Sequence, residues 1–362
     1  MGKTKERGET NQMKEKLQLG IVGAGQIAAD LALSLESSSR ARIVNVCGSS
    51  PEKARVFAAR WGVPRAAASV DELCADPGVD VVYVATPHPA HEAHALVAIA
   101  AGKAVLCEKP FTMDAAGAAR VIAAARARGV FVMEAFMYRC HPLVRALVER
   151  LRDGSIGPIR HVRAEFGFRK PRDPAGRLYA PALGGGAILD VGCYPASLAR
   201  LVAGVAVGRP FAEPTKLEAT ALFGPTGVDE LATALLTFES GVTAAIGTAI
   251  HHATGRGAAI FGEGGSIVVP DPWAPESHRH GRKTGFTVHR DGREPELVAF
   301  ETALDSYALE VELVADALPA LEAPWPAMTL DDTLGNMKLL DAWQAAVRPA
   351  TSSPPSSISA RP

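Results

Sequence analysis

The segment Leu17–Val22 runs without interruption into Gly23-Ala24-Gly25-Gln26-Ile27-Ala28, and no other stretch narrows the chain's folding options as far. Mostly apolar residues followed by G-x-G-x-x-A read as a buried strand turning tightly into a helix. Gly23 permits the turn, Gly25 lets the backbone approach a pyrophosphate, and Ala28 allows close helix–strand packing, while Gln26 and Ile27 open the helix and its free N–H groups. The pattern alone is weak. With a strand before it and the helix Ile27–Leu35 behind it, it reads as a dinucleotide-binding fingerprint.

The same alternation continues. Arg42–Cys47, Val79–Ala85, Ala104–Cys107 and Val130–Glu134 are short, nearly continuous apolar runs, as expected of strands buried on both faces. Helical patterns fill the gaps; Ala90–Ala101 is stopped by Gly102 and Ala115–Arg128 by Gly129. Residues 17–136 are therefore expected to form a doubly wound parallel α/β sheet of Rossmann type. From 137 to 349 the texture changes. A helix (Pro142–Leu151), a strand (Arg160–Phe168), a long loop and a helix near Gly186 precede strands Lys216–Phe223, Leu231–Phe238, Thr243–Ala249, Ala258–Phe261 and Ser266–Val269. Two helices, Ala303–Leu318 and Leu330–Val347, follow, which predicts an α+β domain with an open, largely antiparallel sheet. Residues 1–16 and 350–362 are polar tails expected to stay disordered.

Charge narrows the partner. Lys plus Arg number 38 against 39 Asp plus Glu, so electrostatics argue for neither nucleic acid nor an anionic membrane, and a small molecule is expected. Five cysteines, without any C-x-x-C pair, argue against a disulfide framework or structural zinc and for a reducing, cytoplasmic setting. No apolar run suggests a membrane span.

The second strand should end on the residue that chooses between NAD and NADP. Here the tip is Cys47-Gly48-Ser49-Ser50-Pro51: no carboxylate is present, and Ser49 and Ser50 can donate to a phosphate, with Lys53 a turn later. NADP is favoured and NAD is the alternative, against the plainer reading of two serines making a turn.

Ligands of open α/β sheets bind at the carboxyl ends of the strands, where this chain places Thr86-Pro87-His88 and Glu108-Lys109-Pro110. A lysine fixed beside a proline can hold a substrate oxygen; the competing reading is a lysine that merely pairs with Glu108. Farther on, Gly184-Gly185-Gly186 precedes Asp190 and Tyr194, four residues apart and on one helix face. A carboxylate and a phenol there can bind two hydroxyls and exchange a proton with one; a surface aspartate and a packed tyrosine fit as well. His88, His91 and His94 lack a zinc-site pattern, so no metal is expected and His91 is placed near the cofactor. Arg169, Lys170, Arg172 and Arg177 cluster in the loop before the glycines as candidate anion donors; Tyr138 and Arg139 are candidates for lining the cleft or packing.

In Gly23-Ala24-Gly25, Glu108-Lys109-Pro110 and the glycine run with Asp190 and Tyr194, residues 17 to about 347 resemble the Gfo/Idh/MocA oxidoreductases. Arg177-Leu178-Tyr179 and Tyr194-Pro195 look most like its dimeric dihydrodiol dehydrogenase and NADP-dependent xylose dehydrogenase branch. The resemblance implies a lysine, aspartate and tyrosine trio, Lys109, Asp190 and Tyr194; Arg177 of the basic loop and Tyr138 at the crossover are placed beside the substrate. It implies hydride transfer between nicotinamide and a hydroxyl-bearing carbon of a sugar or diol and a Lys109 that lowers the pKa of Tyr194, while an antiparallel sheet with one face offered for pairing predicts a homodimer or homotetramer. Two alternatives stand: a ketoreductase of nucleotide-linked deoxysugars that grips the diphosphate with the Arg169 cluster, and a non-catalytic dinucleotide sensor on the same fold.

Overall fold

A computed structural model describes residues 16–276 and 284–348, so the expected tails lie almost wholly outside the described residues. The first half is a six-stranded parallel sheet: β1 (Leu17–Val22), β2 (Ala41–Cys47), β3 (Arg65–Ala67), β4 (Val81–Val84), β5 (Ala104–Glu108) and β6 (Val132–Ala135), in spatial order 3-2-1-4-5-6. Order reverses between β1 and β4, and there a crevice opens at the carboxyl ends of the strands. The central strands are fully buried because α1 (Gln26–Leu35), α2 (Pro51–Trp61), α3 (Val70–Ala75), α4 (His91–Ala100) and α5 (Ala115–Arg128) serve as crossovers. Gly102 (φ 74°) and Gly129 (φ 66°) are left-handed, as expected after helix ends.

Two short helices, α6 (Met137–Cys140) and α7 (Pro142–Arg152), lead to the second sheet. It has eight strands: β7 (Ile159–Gly167), β8 (Pro214–Phe223), β9 (Asp229–Phe238), β10 (Thr243–Ala249), β11 (Ala258–Gly262), β12 (Gly265–Val269), β13 (Thr284–Arg290) and β14 (Glu296–Phe300). All pairings are antiparallel except β7 with β10, because β7 is separated in sequence from its neighbours by α8 (Cys193–Val205) and slots between strands made later. The strands β3, β13 and β14 were not anticipated from the sequence. Among the described residues one helical stretch, Pro181–Val205, passes the length and composition for crossing a membrane, but Asp190 and Arg200 interrupt its apolar run and its most apolar window is wholly buried, as a core helix should be.

The last two helices return to the first half. In α9 (Ser306–Ala317), Val311, Val314 and Ala317 share a core with Leu19, Ile21, Ala28 and Leu31 of the nucleotide-binding half. Helix α10 (Leu330–Val347) meets α5, where Asp341 accepts from the Ala115 N–H at 2.9 Å. Arg139 crosses the join fully buried, bonding Ser197, Asp332 and the Pro326 carbonyl.

Candidate active site

The cleft is built first from the β1–α1 turn. Gly23 has φ +110°, and a Cβ there would lie 2.5 Å from the Ala85 carbonyl, so only glycine lets β1 end this close to the chain leaving β4. Gly25 is the N-cap of α1 and, among the described residues, no side chain caps the first-turn amides; a Cβ at Gly25 would meet open space. Gly25, Gln26 and Ile27 line the cleft, an uncapped helix end suited to a dinucleotide pyrophosphate. Ser49 and Ser50 do not line it; they stand at the tip of β2, where Ser49 Oγ accepts from Lys53 Nζ at 3.1 Å and Ser50 caps α2. Gly23 lies between, donating its N–H to Cys47 at 2.8 Å.

The opposite wall comes from the ends of β4 and β5. Thr86, Pro87, His88, His91, Glu108 and Lys109 all line the cleft. His88 Nδ1 donates to the Gly184 carbonyl at 3.2 Å, and burial pushes this imidazole down to about 3, leaving it neutral. His91, fully buried, faces the Thr86 and Pro110 carbonyls at 2.8 and 2.9 Å and so ties the two strand-end loops together. His94 bonds the Thr86 hydroxyl instead, so the three histidines have separate duties. Burial raises the Glu108 carboxyl, which takes the Tyr83 hydroxyl and backs the loop from beneath.

Lys109 reaches across the cleft. Its Nζ donates to the Asp190 main-chain carbonyl at 2.8 Å and lies 5.2 Å from the centre of the Tyr194 ring. Asp190 and Tyr194 do share a face, but through a widened π-helical turn, Ile188–Gly192, rather than a regular α-helix. The turn is held by Asp229, whose carboxylate accepts from the Ile188 N–H at 2.7 Å and occupies the space a Cβ on Gly186 would need. Asp190 pairs with Arg177 at 2.6 Å. Burial works to raise its pKa, yet Lys109 and Arg177 outweigh burial and hold it below the usual carboxylate range.

Two expectations need correction. Tyr138 does not reach the cleft: it is fully buried, bonds Ser197 Oγ at 3.0 Å, and its ring backs Tyr194 and Trp273 from behind. Nor is the Tyr194 phenol lowered as expected of a tyrosine beside Lys109: burial, with Cys193 and Glu108 nearby, pushes it well above its ordinary value, although the ammonium stands over the ring. Of the basic loop cluster, Lys170 and Arg177 line the cleft, while Arg172 pairs with Glu230.

The remaining wall was not foreseen: Phe166, Phe168, Trp273 and Arg256. The Phe166 and Trp273 rings are stacked at 5.9 Å, and Phe166 meets Tyr194 edge-on at 5.2 Å. These residues come from β7 and the loops after β10 and β12, and no local motif marks them.

Residues 17–136 match the family model of the NAD-binding Rossmann oxidoreductases, and 144–268 match the Gfo/Idh/MocA carboxyl-terminal domain. This chain belongs to the Gfo/Idh/MocA oxidoreductase family. Like its relatives, this Gfo/Idh/MocA protein is an NAD(P)-dependent oxidoreductase. It is similar to the trans-1,2-dihydrobenzene-1,2-diol dehydrogenase of Mus musculus, 38% identical over 72% of this chain and 76% of that one. The Homo sapiens enzyme of the same name is 36% identical over the same shares. Among solved structures it resembles KijD10, a 3-ketoreductase from Actinomadura kijaniata in complex with NADP and TDP-benzene: 28% identity, TM-score 0.80, 92% of this chain and 98% of that one. Aldose-aldose oxidoreductase from Caulobacter crescentus, complexed with glycerol, is 25% identical with TM-score 0.79, over 92% and 97%.

Proposed function

We propose that this oxidoreductase interconverts a hydroxyl and a keto carbon on a sugar or trans-diol, with NADP as its preferred cofactor. The observation that carries the reading is the convergence of Lys109 with Asp190 and Tyr194 at the mouth of an uncapped Rossmann helix. Relatives named for diol and aldose oxidoreduction, and a ketoreductase seen with NADP, support the substrate class and cofactor. At the β2 tip, Ser49 and Ser50 with the Lys53 ammonium can receive a 2′-phosphate, and no carboxylate in that turn repels it.

Bound nicotinamide supplies the two-electron redox step; this chain's residues handle the oxygen and its proton. Lys109 places a positive charge where an alkoxide-like oxygen develops, and strengthens its hold only as that charge grows. Tyr194, kept protonated by burial, donates its proton to that oxygen in reduction and takes one back in oxidation. Asp190, kept ionised, accepts from a neighbouring hydroxyl and fixes which carbon presents itself. The phenyl and indole rings of Phe166 and Trp273 cover a ring face and exclude water.

Titrating the purified protein with NADPH and NADH, then assaying aldoses and trans-diols with the tighter cofactor, tests the reading. Tight NADPH binding without turnover of any such compound would favour the sensor alternative. Leu222 and Leu235 stand about half exposed on the open sheet face, which supports a homo-oligomer formed there. Five free cysteines fit a cytoplasmic setting.

A further inference from the structure

Arg256 is a long cation placed on the substrate side of the cleft, and the trio does not use it. Its guanidinium lies 4.4 Å from the centre of the Phe166 ring, and Phe166 in turn touches Tyr194. Nε donates to Asp271 Oδ2 at 3.0 Å, which fixes the plane of the fork. Nη2 is buried yet has no hydrogen-bond partner among the described residues. A buried donor on a charged group left unmade costs about 1–3 kcal/mol or more, so an acceptor belongs there when the site is at work.

The surroundings say what sort of acceptor. Lys170 lines the same cleft, and no acidic side chain bonds its ammonium among the described residues. Its backbone is fixed, since its carbonyl accepts from Tyr179 at 2.7 Å and from His251 at 3.0 Å. One nearby acid, Asp271, pairs with the Nε edge of Arg256 itself at 3.0 Å; of the others, Asp190 is engaged with Arg177 and Asp173 with the Ala175 N–H at 3.2 Å. A fixed fork whose Nη2 donor is unmade among the described residues and a second cation suit an oxyanion better than a neutral hydroxyl, because charge-assisted bonds are the strong ones.

We propose that Arg256, assisted by Lys170, determines specificity by binding an oxyanion, a carboxylate or a phosphate, that the substrate carries away from its reacting carbon. The inference deepens the oxidoreductase reading and rests on it for the location of the reacting carbon. The aromatic wall then spans the distance between two polar ends, the trio at one and Arg256 at the other.

The test uses the NADP-loaded, full-length protein with glucose, glucuronate and glucose 6-phosphate, the two acidic sugars separating a carboxylate from a phosphate. At least a tenfold preference in kcat/KM for one acidic sugar over glucose is expected, largely through KM. The preference should collapse toward unity in Arg256→Met, whose unbranched side chain still covers Phe166. Equal use of all three sugars by the parent protein, or a parallel fall on all three in the variant with the ratio kept, overturns the proposal and leaves Arg256 a brace for Phe166. A titration of Trp273 fluorescence with the same sugars keeps the two readings apart. Quenching by an acidic sugar that Arg256→Met abolishes, without turnover, would uphold the anion site while ending the oxidoreductase reading. Absence of any quenching or turnover difference ends the anion site.

Discussion

Lys109 Nζ donates to the main-chain carbonyl of Asp190 at 2.8 Å, so a cation from the end of β5 is fastened to the turn that carries the second half's polar pair. One bond thus sets the height of the ammonium above the cleft floor, and several expectations rest on it.

Replacing Lys109 with Met should lower kcat by about 10²–10³ while NADPH affinity changes little, because the ammonium acts on charge that appears only during reaction. Steady-state rates and a fluorescence titration read the two quantities separately. A large loss of NADPH binding with kcat kept would move Lys109 from chemistry to cofactor binding.

Tyr194→Phe removes the proton donor and should slow turnover by about 10²–10⁴. In the parent protein the phenol is pushed above its ordinary value of 10, so the rate of ketone reduction should show no alkaline limb from this group up to that pH. An inflection near pH 7 that disappears in the Phe variant would mean that bound cofactor reverses the effect of burial.

Ser49→Asp puts a carboxylate where the 2′-phosphate is expected. The variant should bind NADPH at least about tenfold more weakly and NADH no worse, since a like charge at this tip is what rejects the phosphate. Equal affinities for NADPH before and after substitution would place the phosphate elsewhere.

Glu134, fully buried on β6, accepts from the Phe111 N–H at 2.9 Å just past Lys109 and Pro110, and burial pushes its carboxyl up to about 8. A folded-state value above the unfolded one means that its contribution is complete below about pH 4.5 and is lost as pH rises toward 8. Glu134→Gln stays neutral and can still accept from Phe111. Its melting temperature should therefore gain on the parent's as pH is raised from 5 to 8. A constant difference across that range would show that Glu134 is not what titrates.

The nucleotide-binding half could be read from the sequence because its signals are local. Strand β1, helix α5 and helix α10 have the residue limits that periodicity and glycine stops suggest, and Lys109, Asp190 and Tyr194 carry their own motifs. The strands missed had weaker signals. β3 is three residues long, with only Ala67 buried, and β13 and β14 are amphipathic strands rather than apolar runs. Asp291-Gly292 between β13 and β14 is the one local hairpin signal in this stretch. Phe166, Trp273 and Arg256 had none, because they converge only when the β7, β10 and β12 ends are brought together by the sheet. Tyr138 was misplaced for a related reason: position next to the crossover says nothing about which layer a ring occupies, and its hydroxyl finds Ser197 inside.

Val311, Val314 and Ala317 sit in the same apolar cluster as Leu19 and Ile21, nearly three hundred positions earlier. The apolar face that α9 covers on the amino-terminal half therefore stays bare until nearly the whole chain has been synthesised.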